Sequence, residues 1–171
     1  MIETSRLILK DYDEKYALKA HLNFFSSKET AKYVLWRPTE SVQEVIDKVN
    51  YWLNVAKIDI FWMIHKKDDD EPIGFVAASK LGDSIYGDVG IAIGESFVGK
   101  GYGSEVLEKL IEYIKLQGGK ELHYSHFKEN EASRRLALKY HFEFYKSDKR
   151  VRKYDNKEFD ELFYVLKFNN D

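Results

Sequence analysis

The residues best suited to chemistry lie in the run Val98-Gly-Lys-Gly-Tyr-Gly-Ser104, which follows an apolar strand-like stretch and opens a segment with helical spacing. Successive N–H groups of such a loop converge beside the positive end of a helix dipole, and the missing β-carbons let an anion reach the backbone. The chemistry this favours is phosphate binding. The same run would also serve as a tight strand-to-helix connection that uses glycine only for its turn; glycines at the alternate positions 99, 101 and 103 tip the reading toward phosphate. A Walker A loop needs four residues between its first glycine and Gly-Lys-Ser/Thr, and no such run exists, which removes nucleoside triphosphate chemistry. A dinucleotide fingerprint fails too. Counted from Gly99 the third glycine position is Ser104, counted from Gly101 it is Val106, and no βαβ unit precedes it.

The chain has no cysteine, so thiolate nucleophiles, disulfides and zinc–thiolate sites are excluded together. No spacing of His, Asp and Glu suggests a metal. His21 and His65 fall in a predicted helix and a predicted hairpin and read as structural. His123 and His126 lie on opposite faces of one strand, so at most one of them faces a site. Tyr33, Trp36 and Trp52 offer an aromatic wall, although Trp52 sits on the apolar stripe of its helix and reads as core.

The elements that position these residues follow from periodicity. Residues 6–9 read as a strand, and Tyr16, Ala17, Ala20, Phe24 and Phe25 recur at helical spacing. Ser41 stands three residues before Glu44 as a capping box, and Val42, Val45, Ile46, Val49, Trp52 and Leu53 continue as an amphipathic helix. Residues 58–65 and 73–78 form a hairpin around the charged turn 66–72, and 88–93 form a buried strand with Asp88 at its head, closing an 82–87 loop. After the glycines, Val106, Leu107, Leu110, Ile111 and Ile114 mark the buried face of a helix that Gly118 stops. A strand at 121–127, a helix at 131–140 and strands near 142–145 (with a ragged extension through Val151) and 158–168 complete an α/β chain, antiparallel first, with one βαβ unit later.

Composition bounds the partners. A length of 171 residues predicts one domain over 1–171. With 27 basic and 29 acidic side chains the net charge is −2, which leaves no positive surplus for nucleic acid. Hydrophobic residues at 44% and only 2 prolines exclude a disordered chain. Glu3, Arg6, Lys10, Asp11, Asp13 and Glu14 interrupt any apolar leader, and no run approaches ~18 apolar residues. The expectation is a soluble, unprocessed, cytoplasmic protein with no membrane partner.

Three motifs together resemble the GNAT superfamily of acyl-CoA N-acyltransferases, in the branch that includes ribosomal-protein N-terminal acetyltransferases. Val98-x-x-Gly101-x-Gly103 resembles the Q/R-x-x-G-x-G/A signature, and Gly99-Lys-Gly-Tyr-Gly-Ser-Glu105 is similar to the branch's G-K-G-Y-A-T-E. Thr4-Ser-Arg-Leu-Ile-Leu-Lys10 resembles T-x-R-L-x-L-R, and Asn130-x-x-Ser133-x-x-Leu136-x-x-Lys139-x-x-Phe142 matches N-x-x-S-x-x-L-x-x-K-x-G-F. The resemblance covers nearly the whole chain. It implies a mixed, mostly antiparallel sheet splayed after its fourth strand (88–93) and flanked by about four helices. It also implies acetyl-CoA as co-substrate, with no metal.

By that resemblance the amides of Gly99, Lys100, Gly101, Tyr102, Gly103 and Ser104 bind the CoA pyrophosphate, and the backbone of Ile91, Ala92 and Ile93 pairs with pantetheine as an added strand. Asn130 bonds the pantetheine arm, and Ser133 lies near the CoA sulfur as the acid. Asp88 aligns with an acidic position of the branch and is the expected base, acting directly or through water. Lys100 or Lys128 would meet the 3′-phosphate, unless both are solvated surface lysines. The chain departs from the pattern at Val98, at His141 in place of glycine, at Ala137 where many relatives carry a tyrosine acid, and at Ser125 where some carry a glutamate base. A homodimer is an expectation of the resemblance alone.

Amine acylation requires a neutral nucleophile, a polarised thioester carbonyl and a proton for the departing thiolate. Freeing an α-amine of pKa near 8 at pH 7 costs about 1 to 1.4 kcal/mol, against about 4.6 for an alkylamine near 10.4. The expected activity is therefore acetyl transfer to a primary amine by direct attack in a ternary complex. A protein N-terminal α-amine leads, and a small amine such as a polyamine or an antibiotic comes next. A non-catalytic acyl-CoA-binding module is the first alternative and a dinucleotide oxidoreductase the second.

Overall fold

The computed structural model describes residues 1–169; positions 170 and 171 of the expected 1–171 domain lie outside the described residues. One sheet of eight strands runs through the molecule in the order β1-β2-β3-β4-β5-β6-β8-β7. Its strands are β1 (Ile2–Glu3), β2 (Leu7–Lys10), β3 (Ile60–Lys66), β4 (Pro72–Gly82), β5 (Ile85–Ile93), β6 (Glu121–Phe127), β7 (Glu143–Arg152) and β8 (Lys157–Lys167). Every pairing is antiparallel except β5 with β6, the pair that the single crossover through α3 (Tyr102–Leu116) connects. The short β1, too brief to carry a periodic signal, is an addition to the strands legible in the sequence.

Helices cover both faces. One core holds α3 and Ala137 of α4 (Glu131–Lys139) against Leu7, Ile64, Val76, Leu122 and Tyr124. All five apolar positions predicted for α3 are buried. The other core packs α1 (Ala17–Ala20) and α2 (Val42–Asn54) over Phe61, Met63, Phe75 and Ala92. The first helix is not a uniform α-helix: a 3₁₀ turn (Glu14–Tyr16) leads in and a π turn (His21–Phe25) leads out, placing both Phe24 and Phe25 in the core. At the start of α2 only half of the capping box closes. Ser41 Oγ accepts from Glu44 N, while the Glu44 carboxylate accepts from Glu40 N one residue earlier.

The feature that makes a site is the parting of β5 from β6, which pair only at Ile85↔Glu121 and Tyr86↔Leu122. Just beyond, β5 carries a bulge. Ser79 lies opposite Gly87 and Ala77 opposite Gly90, so Asp88 and Val89 share Ala78, and Asp88 sits at φ +50°. An inserted residue bends and over-twists its strand, which swings the rest of β5 away from β6. This corrects the placement of Asp88: the hairpin turn is confined to Asp83 and Ser84, since Gly82 already pairs with Ile85, and Asp88 lies within the strand.

Candidate active site

The glycine run closes the turn from β5 into α3. Gly99 and Gly101 adopt φ of +76° and +84°, a region that costs an L-residue about 1–2 kcal/mol. Gly101 is the N-cap of α3 and supplies no side-chain cap. The first α3 amide with an acceptor is that of Glu105, bonded to Gly101 O at 3.1 Å; among the described residues, those of 99–104 donate to nothing. A row of unpaired N–H groups at the positive end of a 15-residue helix is an anion site. The N-terminal motif holds it in place. Thr4 Oγ1, Arg6 N and Arg6 Nε all donate to the Glu105 carboxylate, and the Arg6 guanidinium lies 4.4 Å over the Tyr102 ring.

A cavity of about 490 Å³ opens in front of this loop. Ile91, Ala92, Ile93, Gly99, Gly101, Tyr102, Gly103, Ser104 and Asn130 all contribute to its wall. Lys100 does not: it is exposed and outside the lining. The cationic groups that do line the cavity, Arg135 and Lys139, are one turn apart on α4. Lys139 Nζ donates to Ser104 Oγ at 2.6 Å, and the Tyr140 hydroxyl donates to Ser104 O at 2.9 Å, tying the end of α4 to the start of α3. The spacing of residues 135 and 139 on a predicted helix was the signal for this pair. His141, in place of glycine, takes φ +64° and still ends α4 with a Phe142 N to Ala137 O bond.

A second cavity, also about 490 Å³, lies on the other side of the parted strands. Tyr33, Val34, Ile91, Ala92, Asn130 and Ser133 line both cavities, so the two meet at the free edge of β5. Asn130 caps α4 by accepting from Ser133 N at 3.2 Å, which sets Ser133 at that junction. Beside it stands a residue the sequence did not single out. Burial pushes the Tyr124 hydroxyl up to about 12, against the pull of a hydrogen bond with Ser133. Ala137 is wholly buried in the same core cluster as Tyr124.

The second cavity is walled by Trp36, Trp52 and Phe75, whose rings pack at 5.3 to 6.2 Å, and holds Asp88, Ser125, Arg150 and Glu161 at its polar end. Its roof is latched across the molecule: Arg152 Nη1 donates to the carbonyls of Ala31, Lys32 and Val34, while Asp155 accepts from Arg152 Nε and Nη2. His126 is buried and kept neutral, its pKa lowered by desolvation. Its Nδ1–H donates to Phe127 O, which leaves Nε2 to accept from Tyr164. His123 is tied to Glu121 and Tyr145, and His21 and His65 bond Thr39 and Asp70 O as structural groups.

Among the described residues there is no cluster of three His, Asp or Glu side chains fit for a metal, and no helix long and apolar enough to cross a membrane. No curated protein matches the chain in sequence. Solved structures do match in fold. An acetyltransferase of the GNAT family from Bacillus anthracis superposes with a TM-score of 0.82 at 20% identity over 97% of each chain. The ribosomal L7/L12 α-N-protein acetyltransferase RimL, in complex with coenzyme A, gives 0.81 at 20% identity over 98% of this chain and 97% of that one. The microcin C7 self-immunity acetyltransferase MccE, in complex with acetyl-CoA and AMP, gives 0.81 at 19% over 96% and 93%. The family model of the GNAT acetyltransferase domain matches residues 6–143, most of the chain, and the protein therefore belongs to the GNAT acetyltransferase family and is an acyltransferase.

Proposed function

We propose that the protein transfers an acetyl group from acetyl-CoA to a primary amine, with a protein N-terminal α-amine as the favoured acceptor. The observation that carries this is the meeting of two cavities at the unpaired edge of β5, with Ser133 lining both. The first cavity fits the coenzyme: free amides of 99–104 for the pyrophosphate, Arg135 and Lys139 for further phosphate charge, and the open backbone edge of Ile91, Ala92 and Ile93 for the amides of the arm. Acetyl-CoA supplies the activated acetyl group. Asn130 orients the arm and Ser133 donates a proton to the departing sulfur, with Tyr124 behind it. Asp88 adds negative charge to the acceptor cavity, which draws a cationic amine. The complexes of RimL with coenzyme A and MccE with acetyl-CoA support the choice of coenzyme. The L7/L12 α-N-protein activity named for RimL and the lower cost of freeing an α-amine support the choice of acceptor. A cytoplasmic location suits this chemistry.

The test is CoA release from acetyl-CoA with a panel of N-terminal peptides, polyamines and aminoglycosides, alongside calorimetry. Turnover is expected with at least one peptide, and Ser133→Ala should lower kcat about 10²-fold with little change in acetyl-CoA affinity. Tight binding without release from any amine would make the protein a binding module instead.

A further inference from the structure

Glu161 belongs to no motif and to no expectation drawn from the sequence. It stands on β8 where the alternation Phe159, Glu161, Phe163, Val165 would place an apolar side chain, and its side chain is only 13% exposed. Ser125 Oγ donates to its Oε2 at 3.0 Å, and Arg150 Nη1 lies 3.8 Å from its Oε1. All three line the acceptor cavity, whose wall also includes Asn130 and Ser133. The contrast with Asp88 is instructive. The Asp88 side chain is exposed, whereas the Glu161 carboxylate is largely covered and held by Ser125 with Arg150 beside it. The other charged groups near it are Asp148, directly opposite on β7, and Lys146, which pairs with Asp148 at 3.1 Å; Asp88 lines the same cavity from β5.

We propose that Glu161, held by Ser125, is the catalytic base that takes the proton from the acceptor nitrogen, an inference that rests on the acetyl-transfer reading above. As the amine nitrogen bonds the thioester carbonyl carbon, one N–H proton passes to the Glu161 carboxylate. The carbon–sulfur bond then breaks, and the sulfur keeps that electron pair and takes a proton from Ser133. Return of the Glu161 proton to solvent and reprotonation of Ser133 restore the enzyme, so the products are the N-acetyl amine and free CoA. Ser125 acts through Glu161 and is a positioning residue. The base thus comes from β8, the strand that pairs with β6, through a hydrogen bond to Ser125.

The experiment uses the full chain, its best peptide acceptor, and Glu161→Gln, Glu161→Ala, Glu161→Asp and Ser125→Ala. Glu161→Gln is expected to lower kcat about 10²-fold while the thermal shift given by acetyl-CoA stays that of wild type. Glu161→Asp should recover part of the loss, and Ser125→Ala should lower kcat several-fold with KM unchanged. Formate should restore turnover to Glu161→Ala in proportion to its concentration, which no structural role for the side chain explains. Glu161→Gln within threefold of wild type, or no rescue by formate, overturns the assignment. Wild-type protein that neither binds acetyl-CoA nor releases CoA would instead overturn the reading on which it rests.

Discussion

The carboxylate of Glu105 joins the N-terminal strand region to the glycine loop, and its removal should be felt in both. It is 16% exposed and accepts from Thr4 Oγ1 at 2.5 Å, Arg6 Nε at 3.0 Å and Arg6 N at 3.1 Å. Glu105→Gln keeps the shape and one acceptor oxygen but removes the charge. Charge-assisted bonds exceed neutral ones by about 0.5–1.5 kcal/mol each, and Arg6, nearly half exposed, regains water on release, so the net loss is about 2 kcal/mol. For a chain of this size that lowers Tm by about 4–8 °C. The pH dependence has a definite sign. Burial pushes the Glu105 carboxyl up, but the hydrogen bonds from Thr4 and Arg6 outweigh it and leave the folded-state value lowered. Its contribution is therefore complete above the unfolded value near 4.3 and fades as pH falls through the folded one. Thermal denaturation of both proteins from pH 7.5 downward should show a gap that closes only in the carboxylate range. No gap at pH 7.5, or a gap undiminished at the acid end, would refute the reasoning.

Gly101→Ala places a β-carbon at φ +84° and 3.3 Å from Arg6 Nη2, and calorimetry should show weakened acetyl-CoA binding together with about 1–2 kcal/mol of lost stability. Gly103→Ala meets only Leu136 Cδ1, at an ordinary 3.5 Å, so denaturant melts should leave its stability near wild type. Arg152→Ala frees the carbonyls of Ala31, Lys32 and Val34; it should cost about 3 kcal/mol and, in steady-state kinetics, raise the acceptor KM more than the acetyl-CoA KM.

What was legible in the sequence was whatever repeats or punctuates. The buried stripe of α3 and the stop at Gly118 are local signals, set by helical period and by a backbone conformation that few residues tolerate. The glycine loop before α3 was readable for the same reason. The second cavity was not, because it is assembled from the loop before α2, from α2 and α4, and from the strands β4 to β8, none adjacent in the chain to all the others. Asp88 looked like a turn residue because a bulge leaves no trace in an alternation already broken by glycines at 87 and 90. Glu161 did leave a trace, as the one acidic residue in an apolar stripe, but a lone interruption in a terminal strand acquires meaning only once Ser125 and Arg150 are seen beside it.

The bulge at Asp88 has a consequence for solubility. Unpaired strand edges on the outside of a protein invite other chains to add on, and β7 at the end of the sheet presents one, whereas the edge of β5 beyond the bulge faces inward, along the slot between β5 and β6. Only a slender thread carrying its own amides enters such a slot, and a folded neighbour is too thick. The inner edge thereby filters ligands by girth, and a molecule that fills it finishes the ladder and stabilises the native chain by mass action.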